Sequence, residues 1–435
     1  MLTFLGFAMV ITFMYLIMTK RLSALIALIL VPILFALFGG FSSKIGPMML
    51  EGISKLAPTG VMLMFAILYF ALMIDSGLFD PAVRKILKLV KGDPLKVSVG
   101  TAALALVVSL DGDGATTYMI CVAAMLPLYS RLGMNPRIMA GLIILAGGVM
   151  NMTPWGGPTA RAASALHVDP SDIFVPMIPA MLFGVVAILA IAYLYGKRER
   201  ARLGELHLPG DEIDHSEISV SQFHDARRPK LLWFNGALTF ALMVALIAGI
   251  LPLPVLFMIA FSIAMVVNYP CLQQQKERVA AHAGSVLAVV GLIFAAGIFT
   301  GILSGTGMVE AMSKSLLAVI PEAMGPYLAV ITAIVSMPFT FFMSNDAFYY
   351  GVLPVLSEAA SHYGISPVEM ARASIVGQPV HLLSPLVPST YLLVALAGIE
   401  FGDHQRFTLK WAVLVCLCIM LAALLMGIFP LFSSL

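Results

Sequence analysis

Apolar residues along this chain come in long runs, and the places where those runs are interrupted organise the reading. Runs at residues 2–19, 22–40, 59–75, 172–195, 231–250, 253–268, 285–303 and 407–431 are close to the roughly 17–25 residues that cross a bilayer as helix. They predict an all-α polytopic membrane protein. Other apolar stretches are arms on either side of a polar or helix-breaking interruption: 95–110 with 115–129, 137–150 with 159–166, 325–343 with 348–360, and 367–380 with 391–399. The first pair meets at Asp111-Gly112-Asp113-Gly114 and the third at Ser344-Asn345-Asp346. Each reads as a re-entrant hairpin, over 95–130 and 325–361. The second flanks Asn151-Met152-Thr153-Pro154-Trp155-Gly156-Gly157-Pro158 and the fourth runs from His381 through Ser384-Pro385 to Pro388-Ser389. Proline and glycine there stop a helix, so 137–167 and 367–399 each read as one broken transmembrane helix. In lipid the backbone leaves the helix only where it is buried in protein or lines a wet cavity. These four interruptions are therefore the candidate site.

The order of elements repeats. Residues 1–195 and 231–435 each contain three spans, a hairpin, a broken span and a final span, joined by the polar stretch 196–230. An offset of 231 sets Gly133 on Gly364, Pro136 on Pro367, Thr153-Pro154 on Ser384-Pro385 and Thr159 on Thr390. Paired interruptions of this kind are the best sequence pointer to a transporter's binding site. Five crossings per half is an odd number, which makes the second repeat inverted. Charge gives the same topology: with both termini outside, every Lys and Arg beyond the crossing segments falls on the cytoplasmic side except Lys44, Lys55, Lys314 and Arg372, as the positive-inside rule requires. Residues 42–58, 79–90, 273–283 and 308–320 read as interfacial segments, 79–90 being basic and amphipathic, and 196–230 as a cytoplasmic linker.

Composition narrows the function classes. The 435 residues are 60% hydrophobic and 11% charged, against roughly 25% charged for an ordinary soluble domain, which excludes a water-soluble fold. The net charge of +2 says little about partners, and nothing points to nucleic acid. Cys121, Cys271, Cys416 and Cys418 lie in or beside apolar runs without loop pairing and read as packing residues. The first apolar run has no basic leader and reads as a span, not a cleavable signal. No glycine loop followed by Lys-Ser or Lys-Thr occurs, so nothing supports ATP-driven transport. An enzyme with a catalytic aspartate pair needs one site, not two inverted half-sites.

With the hairpins and breaks in place, the chain resembles the ion transporter superfamily of secondary carriers. Within it, Leu-Asp-Gly-Asp-Gly-Ala-Thr-Thr at 110–117 and Asn-Met-Thr-Pro-Trp-Gly-Gly-Pro-Thr at 151–159 resemble the citrate–divalent metal/proton symporters. Related dicarboxylate carriers bind sodium at Ser-Asn-Thr tips; here Asp346 stands at the third place and the first tip is Asp-Gly-Asp-Gly, which favours a proton or metal requirement. The resemblance implies uptake of citrate, or a similar di- or tricarboxylate, with a divalent cation of the Mg or Ca class as part of the substrate and no permanently bound cofactor. It also implies a homodimer in the bacterial cytoplasmic membrane, with a fixed scaffold and a transport domain that moves as an elevator. Another organic-anion symporter, or a cation/proton antiporter of the same architecture, is the alternative.

The residue chemistry fits such a cargo. Chelation lowers the charge that must be desolvated on the way to the midplane. The half-helix N-termini at Thr159 and Thr390 offer unpaired N–H groups to carboxylates, and Asn151, Thr153, Gly156, Gly157, Ser344, Asn345, Ser384 and Ser389 add side-chain or backbone contacts. Asp111, Asp113, Asp346 and His381 are candidates for proton coupling, with Asp113 and Asp346 also candidate metal ligands because hard cations prefer oxygen. Asp111 and Asp113 have a simpler reading as helix caps, and His381 as a hydrogen-bonded structural residue. Arg161, inside a crossing segment, either pairs with a substrate carboxylate or closes a salt bridge to Asp111 or Asp113. Trp155, Met62, Met64 and Met73 read as packing; His167, His362 and His404 lie at segment ends and read as solvated.

Overall fold

The structure, a computed structural model, describes all residues except Lys91, Asp113, 205–223, Val319, Ile320, Ser434 and Leu435, with Met18, Asp111 and His224 described in backbone alone. Among the described residues the regular structure is entirely helical. Six helices among these residues are long and apolar enough to cross a membrane: Ile45–Asp75, Pro170–Leu203, Pro229–Ile247, Leu272–Gly305, Glu322–Phe342 and Phe401–Leu425. Leu2–Met18, Ala24–Phe38 and Leu253–Asn268 have 17, 15 and 16 residues, or about 25 Å at 1.5 Å per residue.

Three helices are longer than the pattern predicts. The interfacial stretch 42–58 and the span 59–75 form one continuous 31-residue helix, Ile45–Asp75, with Pro58 inside it. The polar stretch 273–283 likewise continues into a 34-residue helix, Leu272–Gly305. Neither polar stretch carries a residue in the left-handed region to end its helix, and Lys55 pairs with Glu51 at 2.7 Å along the first, an i, i+4 contact that supports helix. The closing span of the first half also runs on to Leu203, eight residues into the predicted linker.

The two long helices cross on bare backbone. A Cβ on Gly52 would lie 1.9 Å from the Gly297 carbonyl oxygen, and one on Gly301 would lie 2.4 Å from the Met48 carbonyl oxygen. This is the small-residue contact that lets helices approach in lipid. A Gly297→Leu variant should push the pair apart and, with overpacking costs of about 1–3 kcal/mol or more, lower the melting temperature in detergent by several degrees; Gly284→Leu, where a Cβ meets nothing within 4 Å, is the control and should leave it unchanged.

The interruptions follow local chemistry. The first hairpin arm, Pro94–Val108, passes through a 3-10 turn at Ser109–Asp111 and stops at Gly112, whose φ of +79° is open to glycine at little cost. The second arm is Gly114–Leu132. The second hairpin runs Leu328–Phe342, breaks at Met343 in extended conformation, and returns through a π-helical turn, Ala347–Val352, into Leu353–Ser361. Such turns concentrate at functional sites, and this one holds Phe348, Tyr349 and Tyr350 fully buried. The broken helices are Pro136–Met150 with Gly157–Leu166, and Pro367–Ser374 through a tight turn at Ile375–Gly377 to Gln378–His381, then Pro388–Ala397. Pro379 removes a donor and crowds the carbonyl of Ile375, which accounts for the added kink. The basic surface helix forms as predicted over Asp80–Val90, with Val83, Leu87 and Val90 buried and Arg84, Lys85 and Lys88 exposed.

Candidate functional site

Each broken helix is closed by a threonine. Thr159 Oγ1 donates to the Met152 carbonyl across the first break at 2.9 Å, and Thr390 Oγ1 donates to the Leu382 carbonyl across the second. Carbonyls freed by the break are thereby satisfied, as buried backbone requires. Ser384 Oγ donates to the Phe341 carbonyl at 2.6 Å and accepts the Leu386 N–H at 3.1 Å, tying the second break to the second hairpin. Trp155 Nε1 donates to the Leu110 carbonyl at 2.9 Å, tying the first break to the first hairpin, and its ring packs on Phe70 and Phe257. At Gly148 a Cβ would sit 2.5 Å from the Pro379 Cα, so the two broken helices cross in backbone contact.

These ties draw all four interruptions around one cavity of about 500 Å³, lined from the hairpins by Ser109, Gly112, Gly114, Thr117, Ser344, Asn345 and Asp346 and from the broken helices by Asn151, Gly157, Arg161, His381 and Ser389. Arg161 spans the halves: its Nε lies 2.5 Å from Asp346 Oδ1 and its Nη1 donates to the Gly157 carbonyl at 3.1 Å. The described partner of Arg161 is thus a carboxylate of the other half; the alternative of a salt bridge to Asp111 or Asp113 falls on side chains outside the described residues. Asp113 and the Asp111 side chain lie outside the described residues. His381 Nδ1 is 2.7 Å from the Thr340 carbonyl. A carbonyl only accepts, so Nδ1 carries the proton, and a neutral ring keeps Nε2 as an acceptor.

Of the other sequence candidates, Thr153, Gly156, Thr159, Ser384 and Thr390 shape the breaks rather than the cavity wall. Gly156 is confined by backbone: a Cβ there would lie 2.0 Å from the Asn151 carbonyl oxygen. The structure adds residues the sequence reading passed over. Buried Gln378 accepts from Asn151 Nδ2 at 3.4 Å and donates to Tyr349 OH at 3.0 Å, which donates on to the Ser374 carbonyl. Ser164 and Tyr350 share a 3.1 Å hydrogen bond behind Arg161. Ser109 Oγ, Thr117 Oγ1 and Asn345 Oδ1, all on the cavity wall, are buried without a hydrogen-bond partner among the described residues. Buried polar atoms are normally paired, and the side chains of Asp111 and Asp113, close in sequence to Ser109 and Thr117, lie outside the described residues. Gln378, the polar residue beside Pro379 in an apolar run, was the readable signal. His404, taken as solvated, is fully buried, because the helix Phe401–Leu425 packs it into the core.

Among the described residues no cluster of three or more His, Cys, Asp and Glu could hold a metal ion.

Comparison with known proteins agrees with this picture. A citrate transporter of Bacillus subtilis (strain 168) is 63% identical over 98% of this chain and 99% of its own length. A Mg(2+)/citrate complex secondary transporter of the same organism is 56% identical with the same coverage. Two solved transporters share the fold at 14% identity: YdaH of Alcanivorax borkumensis, TM-score 0.55 over 88% of each chain, and MtrF of Neisseria gonorrhoeae, TM-score 0.59 over 89% of this chain and 84% of that one. With the citrate transporter family model matching residues 13–377, the chain belongs to the CitMHS family of citrate transporters, a family of carriers and not of enzymes.

Proposed function

We propose that the protein imports citrate, or a similar di- or tricarboxylate, as a complex with a divalent cation of the Mg or Ca class, driven by protons across the bacterial cytoplasmic membrane. The observation that carries this reading is the single cavity in which both hairpin tips and both breaks meet, with Arg161, Asp346 and His381 on its wall beside three oxygens that have no hydrogen-bond partner among the described residues. A chelated tricarboxylate keeps one net negative charge, so it asks for few cations and many neutral donors. Arg161 supplies the cation; Asn151, Asn345, Ser109, Thr117, Ser344 and Ser389 supply neutral contacts. Asp346 holds Arg161 while the cavity is empty. When Asp346 takes a proton, or turns to the cation of the complex, Arg161 is released to a substrate carboxylate. Proton and substrate then favour each other's binding by the same factor, as linkage demands.

The repeated element order supports two inverted repeats, 1–195 and 231–435, of five crossings each. Contacts between segments assigned to one side support an arrangement with both termini on the same face: Arg137 with Asp403 and Arg200 with Asp93 on the basic side, Arg372 with the Asp172 carbonyl and Ser433 N–H with the Pro326 carbonyl on the other; the positive-inside rule makes that face the outside. We assign the hairpins and broken helices to a transport domain and the glycine-crossed pair Ile45–Asp75 and Leu272–Gly305 to the scaffold of a homodimer, with elevator motion between them.

Purified protein in liposomes should accumulate labelled citrate only with a divalent cation present and faster when the outside is acidified. Uptake of citrate equally well in chelator, or unaffected by an imposed pH gradient, would refute the metal-complex or the proton part respectively.

A further inference from the structure

A second cavity, of about 630 Å³, shares Gly112, Gly157 and Arg161 with the site and runs between the first hairpin and break on one wall and the two long helices on the other. From Arg161 it passes Phe70, Ala71 and Ile74 and reaches Asp75 and His282. There the chain does something costly: Asp75, almost completely buried, ends one apolar helix with its Oδ2 at 2.8 Å from His282 Nε2 and 3.1 Å from Arg278 Nη1 of the other. Buried charges inside a membrane protein need partners and mark ion pathways. Around the cluster stand Tyr269 with Arg228 over its ring at 4.5 Å, Arg227 paired with Asp80, and Arg161 at the far end of the cavity. All but Arg161 belong to the basic edge of the molecule.

We propose that this cavity is the aqueous vestibule through which the site opens to the basic, cytoplasmic face, and that His282, oriented by Asp75, accepts there the proton that arrives with the substrate. The charges of Arg278 and Asp75 offset each other, so an anion can pass a buried carboxylate without repulsion. Of the three, His282 is the one whose side chain is suited to taking up and releasing a proton, and its contact with Asp75 holds the ring in place. Protonated, it makes the cluster net positive and retards departure of an anionic complex; neutral, it lets the complex leave and stands ready for the next proton. Because the Asp75 carboxylate only accepts, Nε2 carries the hydrogen in that contact and Nδ1 is the basic nitrogen; delivery needs transfer from a water in the cavity to Nδ1, with the proton then lost to the cytoplasm. The idea rests on the proton-coupled reading above, and a simple clamp between two helices is the alternative for the same contacts.

The test compares transport ratios, which are independent of expression level. With protein in liposomes, magnesium-citrate efflux is measured with the basic face bathed at about pH 6 and at about pH 8, the opposite face being held constant. The parent ratio should differ from unity by at least about threefold; in His282→Gln and in Asp75→Asn it should fall to about one. A parent ratio that differs from unity and persists in both variants overturns the vestibule proton site while leaving proton coupling intact. A parent that responds to pH on neither face removes both. The route is tested separately: in a Cys271→Ser background, Ser285→Cys, whose side chain lines the cavity, should react with an impermeant maleimide from the basic face only, and saturating magnesium-citrate should slow that reaction. Labelling from the opposite face alone would overturn the assignment of the vestibule.

Discussion

Arg161→Gln should abolish citrate binding and transport, whereas Asp346→Asn should bind magnesium-citrate with its pH dependence lost. The two residues form one ion pair, Nε to Oδ1 at 2.5 Å, with side chains 22% and 15% exposed, yet their removal has opposite consequences. Without Arg161 the cavity keeps Asp346 and loses its cation, so an anionic ligand meets an uncompensated carboxylate. Truncating one partner of a buried, hydrogen-bonded charge pair costs about 2 kcal/mol or more, which is about thirtyfold or greater in affinity. Without the Asp346 charge, Arg161 is permanently free for a substrate carboxylate, and the competition that ties binding to protonation disappears. Titration calorimetry with magnesium-citrate at two pH values separates the cases: parent affinity should rise on acidification and Asp346→Asn affinity should not. Arg161→Lys keeps the charge but loses the second donor that now holds the Gly157 carbonyl, and should fall between. If Arg161→Gln binds as well as the parent, Arg161 is a structural tie and the substrate is recognised by neutral donors alone.

The sequence pattern located the interruptions because helix breaking is written in single residues. Gly112 with its positive φ, Pro154 with Gly156, and Pro385 with Pro388 are visible without coordinates, and an internal offset shows which of them correspond. The partner of Arg161 was not visible in the same way. An offset relates equivalent positions in two halves, but contact across the halves is set by how they cross, and Gly148 against Pro379 is a backbone approach that no periodicity reports. For the same reason Asp75 and His282 were passed over: one sits at the end of a predicted span and the other at the end of a predicted surface helix, and only the continuity of Leu272–Gly305 carries His282 into the protein. The long helices were misjudged at their polar ends because hydropathy measures solvation, whereas a helix continues through polar residues that satisfy its backbone. The π-helical turn that buries Tyr349 and Tyr350 has no sequence signature of its own.

Gly156→Ala should damage the site far more than Gly157→Ala, although the two are neighbours in the same break. Gly156 has φ −67° and ψ 143°, a conformation open to any residue, so backbone freedom is not the reason for glycine. Space is. Its Cβ would lie 2.0 Å from the Asn151 carbonyl oxygen, 2.7 Å from that carbonyl carbon and 3.0 Å from the Thr153 carbonyl oxygen. Those atoms are backbone of the break itself and cannot rotate away. Relief requires the loop from Asn151 to Gly157 to open, which moves Asn151, the Trp155 tie to Leu110 and the start of the half-helix carrying Arg161. A Cβ on Gly157 meets only Arg161 Nη1, at 2.8 Å, the far end of a flexible side chain. Overpacking costs of about 1–3 kcal/mol then translate into roughly a five- to 150-fold loss of magnesium-citrate affinity for Gly156→Ala, against a few-fold loss for Gly157→Ala, as Arg161 swings to make room. Binding is the measurement to make, with the melting temperature alongside it. Equal losses in the two variants would mean that the break yields, and that its shape is not what holds Asn151 and Arg161 on the cavity wall.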